Sequence, residues 1–264
     1  MEVKNKAPER IRLETRIRTL DVIAVTDITP KMRRIRLAGS ELAGFQSPGH
    51  ADHIKVFISS DGRPLGRPEL RPEGIAFDDG VAKPFMRDYT PRNFDPVALI
   101  LDLDFVLHGD GPASTWAAQA APGQTLVIGG PRGSLIIPDA YDWYFLAGDE
   151  TALPAIGRRL EELPAGTPVI AVIEVADAAE QQHLPTRANA QIHWVHRNGA
   201  EPGTINPLLD ATASLTFPPG DGYAFVACEA LNAKALRAHL TDQRGFDPES
   251  IRAAGYWARG EAGH

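Results

Sequence analysis

The sequence predicts two domains of different class: an all-β first half, a barrel or a sandwich, followed by an α/β domain with a parallel sheet. Three observations predict this. The chain has 264 residues, more than one core usually holds and comfortable for two. Its first half carries short runs in which apolar and polar residues alternate, separated by turn residues, the pattern of half-buried strands. From about residue 140 the runs become continuously apolar and alternate with helical spacing, as in a sheet with crossover helices. The change falls in Pro138–Asp142, so the domains are expected at 1–139 and 140–264.

The elements follow in order. Val22-Ile23-Ala24-Val25 and Arg34-Ile35-Arg36-Leu37 are short β-rich runs, and His53 to Ile58 alternates with period two. Ser59 to Pro84, rich in Pro, Gly and Arg, reads as a loop or excursion. Leu99 to His108 alternates again, with Leu101, Leu103, Phe105 and Leu107 on one face. Thr125 to Ile128 is a strand ended by Gly129-Gly130-Pro131. In the second half, Trp143 to Ala147, Val169 to Val175, Ile192 to Val195 and Tyr223 to Ala227 are apolar strands. Helices are expected over Thr151–Leu163, with Leu153, Ile156, Leu160 and Leu163 on one side, and over Asn232–Gln243.

Composition narrows the class. Hydrophobic residues are 43% and charged residues 23%, the balance of a globular protein. No apolar run reaches the roughly 18 residues needed to span a bilayer, and Met1 to Arg18 alternates charges without the apolar core of a signal or anchor. A single cysteine, Cys228, allows no intramolecular disulfide and no cysteine-held zinc or iron–sulfur cluster, and a reducing cytoplasm is expected. The eight histidines show no metal-ligand spacing. A net charge of -7 argues against a nucleic-acid partner.

Three segments could carry chemistry. In Arg87-Asp88-Tyr89-Thr90-Pro91-Arg92, a guanidinium suited to phosphate, a ring that can cover a planar heterocycle and a hydroxyl lie together on a strand; the alternative is an edge strand with surface charges. In Phe105 to Ala117, a strand ends at His108, glycines 109 and 111 permit a tight turn, and Pro112 suits a first helical position. The small residues Ala113-Ser114-Thr115 would leave free N–H groups for a pyrophosphate, unless Ser114 or Thr115 serves as a local cap. In Leu146 to Ala155, a buried strand meets a helix at Gly148, as in the first βα turn of a dinucleotide-binding sheet, but without the G-x-G-x-x-G pattern. Asp149 and Glu150 there would repel phosphate if they pointed inward.

In this order, Arg87-x-Tyr89-Thr90-x-Arg92, Asp104-Phe-Val-Leu-His108-Gly-x-Gly111-Pro-Ala-Ser114-x-Trp116 and Ala147-Gly148-Asp149-Glu150-Thr151-Ala-Leu-Pro154-Ala closely resemble the siderophore-interacting protein family. These are flavin-dependent ferric-siderophore reductases of the ferredoxin–NADP reductase-like superfamily. Asp52-His53-Ile54-Lys55-Val56-Phe57 and Gly255-Tyr256-Trp257-Ala258-Arg259-Gly260 extend the match to about residues 15–260. The resemblance implies an N-terminal antiparallel β-barrel that binds FAD and a C-terminal parallel α/β sheet that binds NADPH or NADH. Arg87 would contact the FAD phosphates, Tyr89 pack on the isoalloxazine and Thr90 bond near the flavin N5. His108, Gly111, Ala113, Ser114 and Thr115 would surround the pyrophosphate. Gly148, Asp149, Glu150 and Thr151 would sit by the nicotinamide cofactor, with Cys228-Glu229 where related reductases approach the nicotinamide. Many family members would show glycine in place of Cys228, which is either a small buried residue or a thiol with a role.

The resemblance also implies the reaction: electrons pass from the nicotinamide by way of FAD to ferric iron, whose reduction loosens its hold in a hard-oxygen chelate. No general base or covalent nucleophile is required. Anionic ferric siderophores call for cations, and Lys55 and Arg259 rank first because both fall within the resembling segments. Arg63, Arg67 and Arg71 are further basic residues that read better as solvated surface charges. The 2′-phosphate of NADPH would need a cation beyond Val169–Val175, where Ala176 to Glu180 is acidic; Arg158, Arg187 and Arg197 are the candidates. Two other functions fit the same residues: a flavin reductase serving another acceptor, such as a ferredoxin, and a siderophore-binding protein without redox activity.

Overall fold

A computed structural model describes residues 5–61, 65, 68–71, 74–77, 82–109 and 111–260. They form two compact units, one within residues 9–136 and one of residues 137–260 together with 5–8.

The strands of the first unit are β1 (Glu9–Arg12), β2 (Ile17–Thr29), β3 (Met32–Ala38), β4 (Ile54–Ile58), β5 (Glu69–Arg71), β6 (Gly74–Ala76), β7 (Phe85–Tyr89), β8 (Pro91–Asp95) and β9 (Ile100–Val106). They are followed by helix α1 (Pro112–Gln119), β10 (Thr125–Gly129) and β11 (Gly133–Ile136). Seven strands pair antiparallel in the order β7-β4-β10-β2-β3-β9-β8. The two outermost strands, β7 and β8, are consecutive in the chain with only Thr90 between them. The edges are therefore tied together covalently, and the sheet curls into a barrel instead of lying open.

The period-two pattern sets its inside. Leu20, Val22, Ile35, Leu37, Ile54, Val56, Leu101, Leu103, Phe105, Leu126 and Ile128 form one buried cluster, closed by Ala113, Ala117 and Trp116 of α1. A smaller cluster on the other face, Ile17, Phe57 and Val127, is covered by Leu65, Ile75, Phe77 and Met86. The Pro/Gly-rich excursion thus contains a short hairpin, β5–β6, and shields the barrel wall. On β9 the polar positions of the alternation are buried as well. Asp102 and Asp104 are each gripped by two hydrogen bonds, from Arg36 and Arg34 of the neighbouring β3.

The second unit contains β12 (Trp143–Gly148), α2 (Leu153–Glu162), β13 (Pro168–Val175), β14 (Asn189–His196), α3 (Pro207–Ser214), β15 (Gly222–Glu229), α4 (Ala230–Asp242) and β16 (Ile251–Trp257). Five parallel strands run in the order β14-β13-β12-β15-β16. Trp143, Phe145 and Ala147 pack with Leu208 of α3 and with Ala233, Leu236 and Leu240 of α4. The chain starts in the middle, winds outward to β14 and returns to β15. The switch point therefore lies between β12 and β15, and ligands of such sheets bind outside the carboxyl ends of the strands there. Helix α3, absent from the sequence expectations, starts at Pro207 with the Asn206 side chain accepting from Leu209 N at 3.1 Å.

Candidate functional site

In the first unit the site is built where β7 ends. Arg87 and Tyr89 are two residues apart and stand opposite Val56 and Ile54 of β4, so both share the face of those core residues. Tyr89 packs on Phe105 with ring centroids 4.2 Å apart, and Phe105 packs on Trp116 of α1 at 5.5 Å. This row of rings brings the first two sequence segments together. Burial holds the Tyr89 hydroxyl well above its ordinary pKa, so the ring stays neutral. Arg87 donates to the Met86 carbonyl at 2.8 Å and lies over the Phe85 ring, with no carboxylate partner among the described residues. Thr90 is buried, and its hydroxyl has no hydrogen-bond partner among the described residues.

Helix α1 offers a second feature. Its N-cap is Gly111, with no capping side chain and no acidic residue in the first turn. The first helical bond runs from Thr115 N to Gly111 O, which leaves the Ala113 and Ser114 N–H groups without helical acceptors. Ser114 is no cap: its hydroxyl accepts from His108 N at 2.8 Å and ties the turn back to β9. Gly109 makes that turn in the left-handed region, at φ 45°. An uncapped helix start, an unneutralised guanidinium, a neutral ring and a hydroxyl with no protein partner among the described residues suit a flavin dinucleotide, whose pyrophosphate is anionic and whose ring system is flat.

The second unit concentrates its ionisable groups at the carboxyl edge of the sheet. A Cβ on Gly148 would meet Ala152 Cβ at 2.4 Å and Ala227 O at 2.5 Å, so only glycine lets the chain turn this tightly into α2. Asp149 is buried and organises that turn. Its Oδ1 accepts from Thr151 N at 2.9 Å and from Thr151 Oγ1 at 2.5 Å, and its Oδ2 accepts from Trp257 Nε1 at 2.7 Å. Glu150 is held by Arg197 through two bonds of 2.8 and 2.5 Å, and the same guanidinium reaches Glu174 at 3.1 Å. Burial raises the Asp149 pKa and pushes Glu174 up to about 7, aided by the charges of Asp149 and Glu150. Glu229 caps α4: Oε2 accepts from Leu231 N at 2.7 Å and Asn232 N at 3.0 Å, while Oε1 accepts from Arg259 N at 3.3 Å. The Cys228 thiol is buried, and its pKa is driven up by burial and by the surrounding carboxylates, so it is protonated and packs as a small core residue.

The profile of the siderophore-interacting protein family matches residues 141–260, and that of its FAD-binding domain, described as "siderophore-interacting FAD-binding domain", matches residues 21–135. The chain is 35% identical to the NADPH-dependent ferric-chelate reductase of Escherichia coli over 254 residues, covering 95% of this chain and 96% of that one. The chain belongs to the siderophore-interacting protein family. It is also 32% identical to the ferric vibriobactin reductase ViuB of Vibrio cholerae, with 92% and 90% of the two chains covered. The crystal structure of a siderophore utilization protein from T. fusca superposes with a TM-score of 0.88 at 40% identity, covering 96% of this chain and 97% of that one.

For a siderophore-interacting protein, the cations at this structure's surface matter as much as its cofactor edges. Lys55 does not join Arg87 and Tyr89. It stands on the opposite face of the β4–β7 ladder, ion-paired with Asp88 at 2.9 Å. The Arg259 guanidinium is exposed and makes no ion pair among the described residues. Arg71 pairs with Glu69 at 3.1 Å, and Arg63 and Arg67 lie outside the described residues. His108 and Thr115 are exposed beside the α1 start, whereas Ala113 and Ser114 are buried in it. The three cations considered for a 2′-phosphate separate cleanly. Arg187 precedes β14 and sits at the amino edge of the sheet, away from the Gly148 edge. Arg158 pairs with Glu162 at 3.0 Å. Arg197 is at the carboxyl edge but is occupied by Glu150 and Glu174. Asp149 and Glu150, expected to repel phosphate if they faced inward, are instead tied down by Thr151, Trp257 and Arg197. Sequence reasoning missed Trp257 and Arg197 as partners of the β12–α2 turn. Trp257 lies 108 residues from Asp149 and Arg197 lies 47 from Glu150, so no local pattern announces either contact. Among the described residues no group of three or more His, Cys, Asp or Glu could hold a metal ion, and no helix is long and apolar enough to cross a membrane.

Proposed function

We propose that this chain is an FAD-dependent oxidoreductase that uses NADPH to reduce ferric siderophores and related ferric chelates, releasing ferrous iron. The observation that carries this reading is the edge where Arg87, Tyr89 and the unpartnered Thr90 hydroxyl meet, joined through Phe105 and Trp116 to an uncapped helix start in the same unit. The names of relatives that match over nearly their full lengths agree with it.

FAD, when bound, supplies the capacity to accept a hydride and to give up electrons singly to iron. The chain's residues supply the rest. Arg87 and the Ala113 and Ser114 N–H groups would neutralise pyrophosphate. Tyr89 would cover the ring system, its own ring backed by Phe105 at a tilt of 34°. Thr90 would offer its hydroxyl to a ring heteroatom. The β12–α2 turn, kept tight by Gly148 and Asp149, would hold the nicotinamide cofactor, with Glu150 and Thr151 beside it and Glu229 fixing the start of α4. Arg259 supplies an unneutralised positive charge for an anionic chelate; Lys55, shared with Asp88, supplies a weaker one. The functional boundaries proposed are 1–139 for FAD and 140–264 for NADPH, and a reducing cytoplasm, where a single buried thiol stays reduced, is the compartment proposed for the reaction.

The test is direct. The purified protein is denatured and the released flavin identified, and ferrous iron formation from ferric chelates is followed in a colorimetric trap with NADPH and with NADH. FAD release and NADPH-dependent ferrous iron are expected. A colourless protein that binds chelate without turnover would leave only a binding function.

A further inference from the structure

The barrel contains a pocket that the reading above leaves without a role. It has a volume of about 140 Å³ and is lined by Glu14, Arg16, Arg18, Gln46, Gly130 and Pro131, among others. Gly130 follows β10, whose Gly129 pairs with Lys55 of β4, and Tyr89 of β7 pairs with Ile54 of β4. The pocket therefore opens at the same end of the barrel as Thr90.

Arg18 is its distinctive feature. The residue is only 3% exposed, and it makes no ion pair with any carboxylate among the described residues. Three backbone carbonyls hold its guanidinium instead. Nε donates to Glu41 O at 2.8 Å, and Nη1 donates to Gly130 O at 3.1 Å and to Arg16 O at 3.4 Å. Phe45 lies 5.3 Å from it as a cation–π partner. These contacts use the N–H of Nε and both hydrogens of Nη1. The two hydrogens of Nη2 are left without an acceptor among the described residues. A guanidinium pinned on one side with a free edge on the other is pre-organised to receive an oxyanion.

The surroundings agree in sign. Arg16 stands at the mouth, half exposed and paired with Glu14 at 2.6 Å. Two guanidinium groups against one carboxylate leave the lining with a net positive charge. Gln46 adds an amide that can donate. Burial, and then the charge of Arg16, lower the pKa of Arg18, and the more distant carboxylates of Glu14 and Glu41 raise it only in part, so a bound anion would relieve a stress that neither they nor the backbone carbonyls offset in full. The space suits several waters or a small organic acid.

We propose that this pocket is a binding site for a small carboxylate, gripped by the free Nη2 edge of Arg18 and drawn in by Arg16. The carboxylate can come from a free organic acid or from a carboxylate arm of a ferric chelate; the binding chemistry is the same. The inference does not depend on the redox reading, because it concerns binding alone.

Calorimetric titration of the flavin-loaded protein with citrate, and with acetate as the minimal probe, tests it. Saturable binding that weakens with added salt is expected. Arg16→Glu reverses the charge at the mouth without touching the backbone carbonyl that Arg16 lends to Arg18. It should retain FAD and melt like the parent, since an exposed ion pair adds little stability, yet lose citrate affinity by about ten-fold or more. Gln46→Leu should weaken binding by a smaller factor. The Arg16→Glu protein separates the sources without a competing chelator: a KM raised for a carboxylate-bearing ferric chelate but not for a carboxylate-free one places the chelate arm in the pocket, and KM unchanged for both assigns the pocket to the free acid. No saturable heat with either probe, or undiminished affinity in a folded Arg16→Glu protein, overturns the proposal.

Discussion

Replacing Glu174 by Gln should make the protein more stable above neutral pH, although it deletes one partner of an ion pair. The carboxyl is 3% exposed and its pKa rises from 4.5 to about 7, chiefly through burial, with Arg197 pulling the other way and Asp149 and Glu150 adding to the rise. Arg197 lowers it less than desolvation raises it, because two bonds to Glu150 already claim most of that guanidinium. Below pH 4.5 the group is neutral in both the folded and the unfolded chain. Between 4.5 and about 7 the folded chain keeps a proton that the unfolded chain has released, so stability falls as pH rises through this window. The whole shift corresponds to about 3 kcal/mol. Gln mimics the protonated acid, keeps an oxygen for Arg197 and does not titrate. Urea or thermal melts at about pH 5 and about pH 8 should show near-equality at the lower pH. At the higher pH the variant should gain up to about 3 kcal/mol, several degrees in Tm. A variant less stable than the parent at about pH 8, or one with the parent's full pH slope, would show that the Arg197–Glu174 attraction outweighs desolvation and that the argument has the wrong sign.

Three further outcomes are expected. Arg87→Ala should weaken FAD binding by about 1–3 kcal/mol, the range for losing a charge-assisted hydrogen bond, read as flavin lost on dialysis; full retention would remove Arg87 from the phosphate. Gly148→Ala drives a Cβ to within 2.5 Å of the Ala227 carbonyl and should destabilise the second unit by at least 2 kcal/mol, roughly the cost of overpacking a rigid core; a melt matching the parent would mean the turn has room. Replacing Lys55 and Arg259 with Ala should raise KM for anionic ferric chelates and flatten the salt dependence, with most of the effect from Arg259 because Asp88 already shares the charge of Lys55. Flavin reduction by NADPH should change little, and its loss would instead make these residues part of the cofactor machinery.

What the sequence disclosed, and what it hid, divides by range. The barrel strands were legible because burial of one face imposes period two on residues such as Leu101, Leu103 and Phe105, and α2 because its apolar residues recur at helical spacing. Helix α3 was not, since the eight residues of Pro207–Ser214 are too few to show a period. Short motifs also marked the turns at which the cofactors are proposed to bind, because a tight turn leaves local marks: a glycine where a Cβ cannot fit, a proline at a helix start. Charge partners leave none. Asp102 and Asp104 looked like the wet face of a strand and are buried against Arg36 and Arg34, pairs decided by a strand register some seventy residues away. Arg197 reads from the sequence as available for a phosphate for the same reason, and nothing in the charged stretch that ends at Arg18 sets that residue apart. Register and topology decide whether a cation is neutralised, clamped or free, and they are properties of the assembled sheets. Once the ladders are known, Arg34, Arg36, Arg158 and Arg197 are accounted for by carboxylates, whereas Arg87, Arg259 and the Nη2 edge of Arg18 have no carboxylate partner among the described residues, and neither has Arg187 at the amino edge of the sheet. In a protein whose proposed substrates and cofactors are anionic, Arg87, Arg259 and Arg18 are the ones proposed to bind them, and they are where substitution should change affinity before it changes stability.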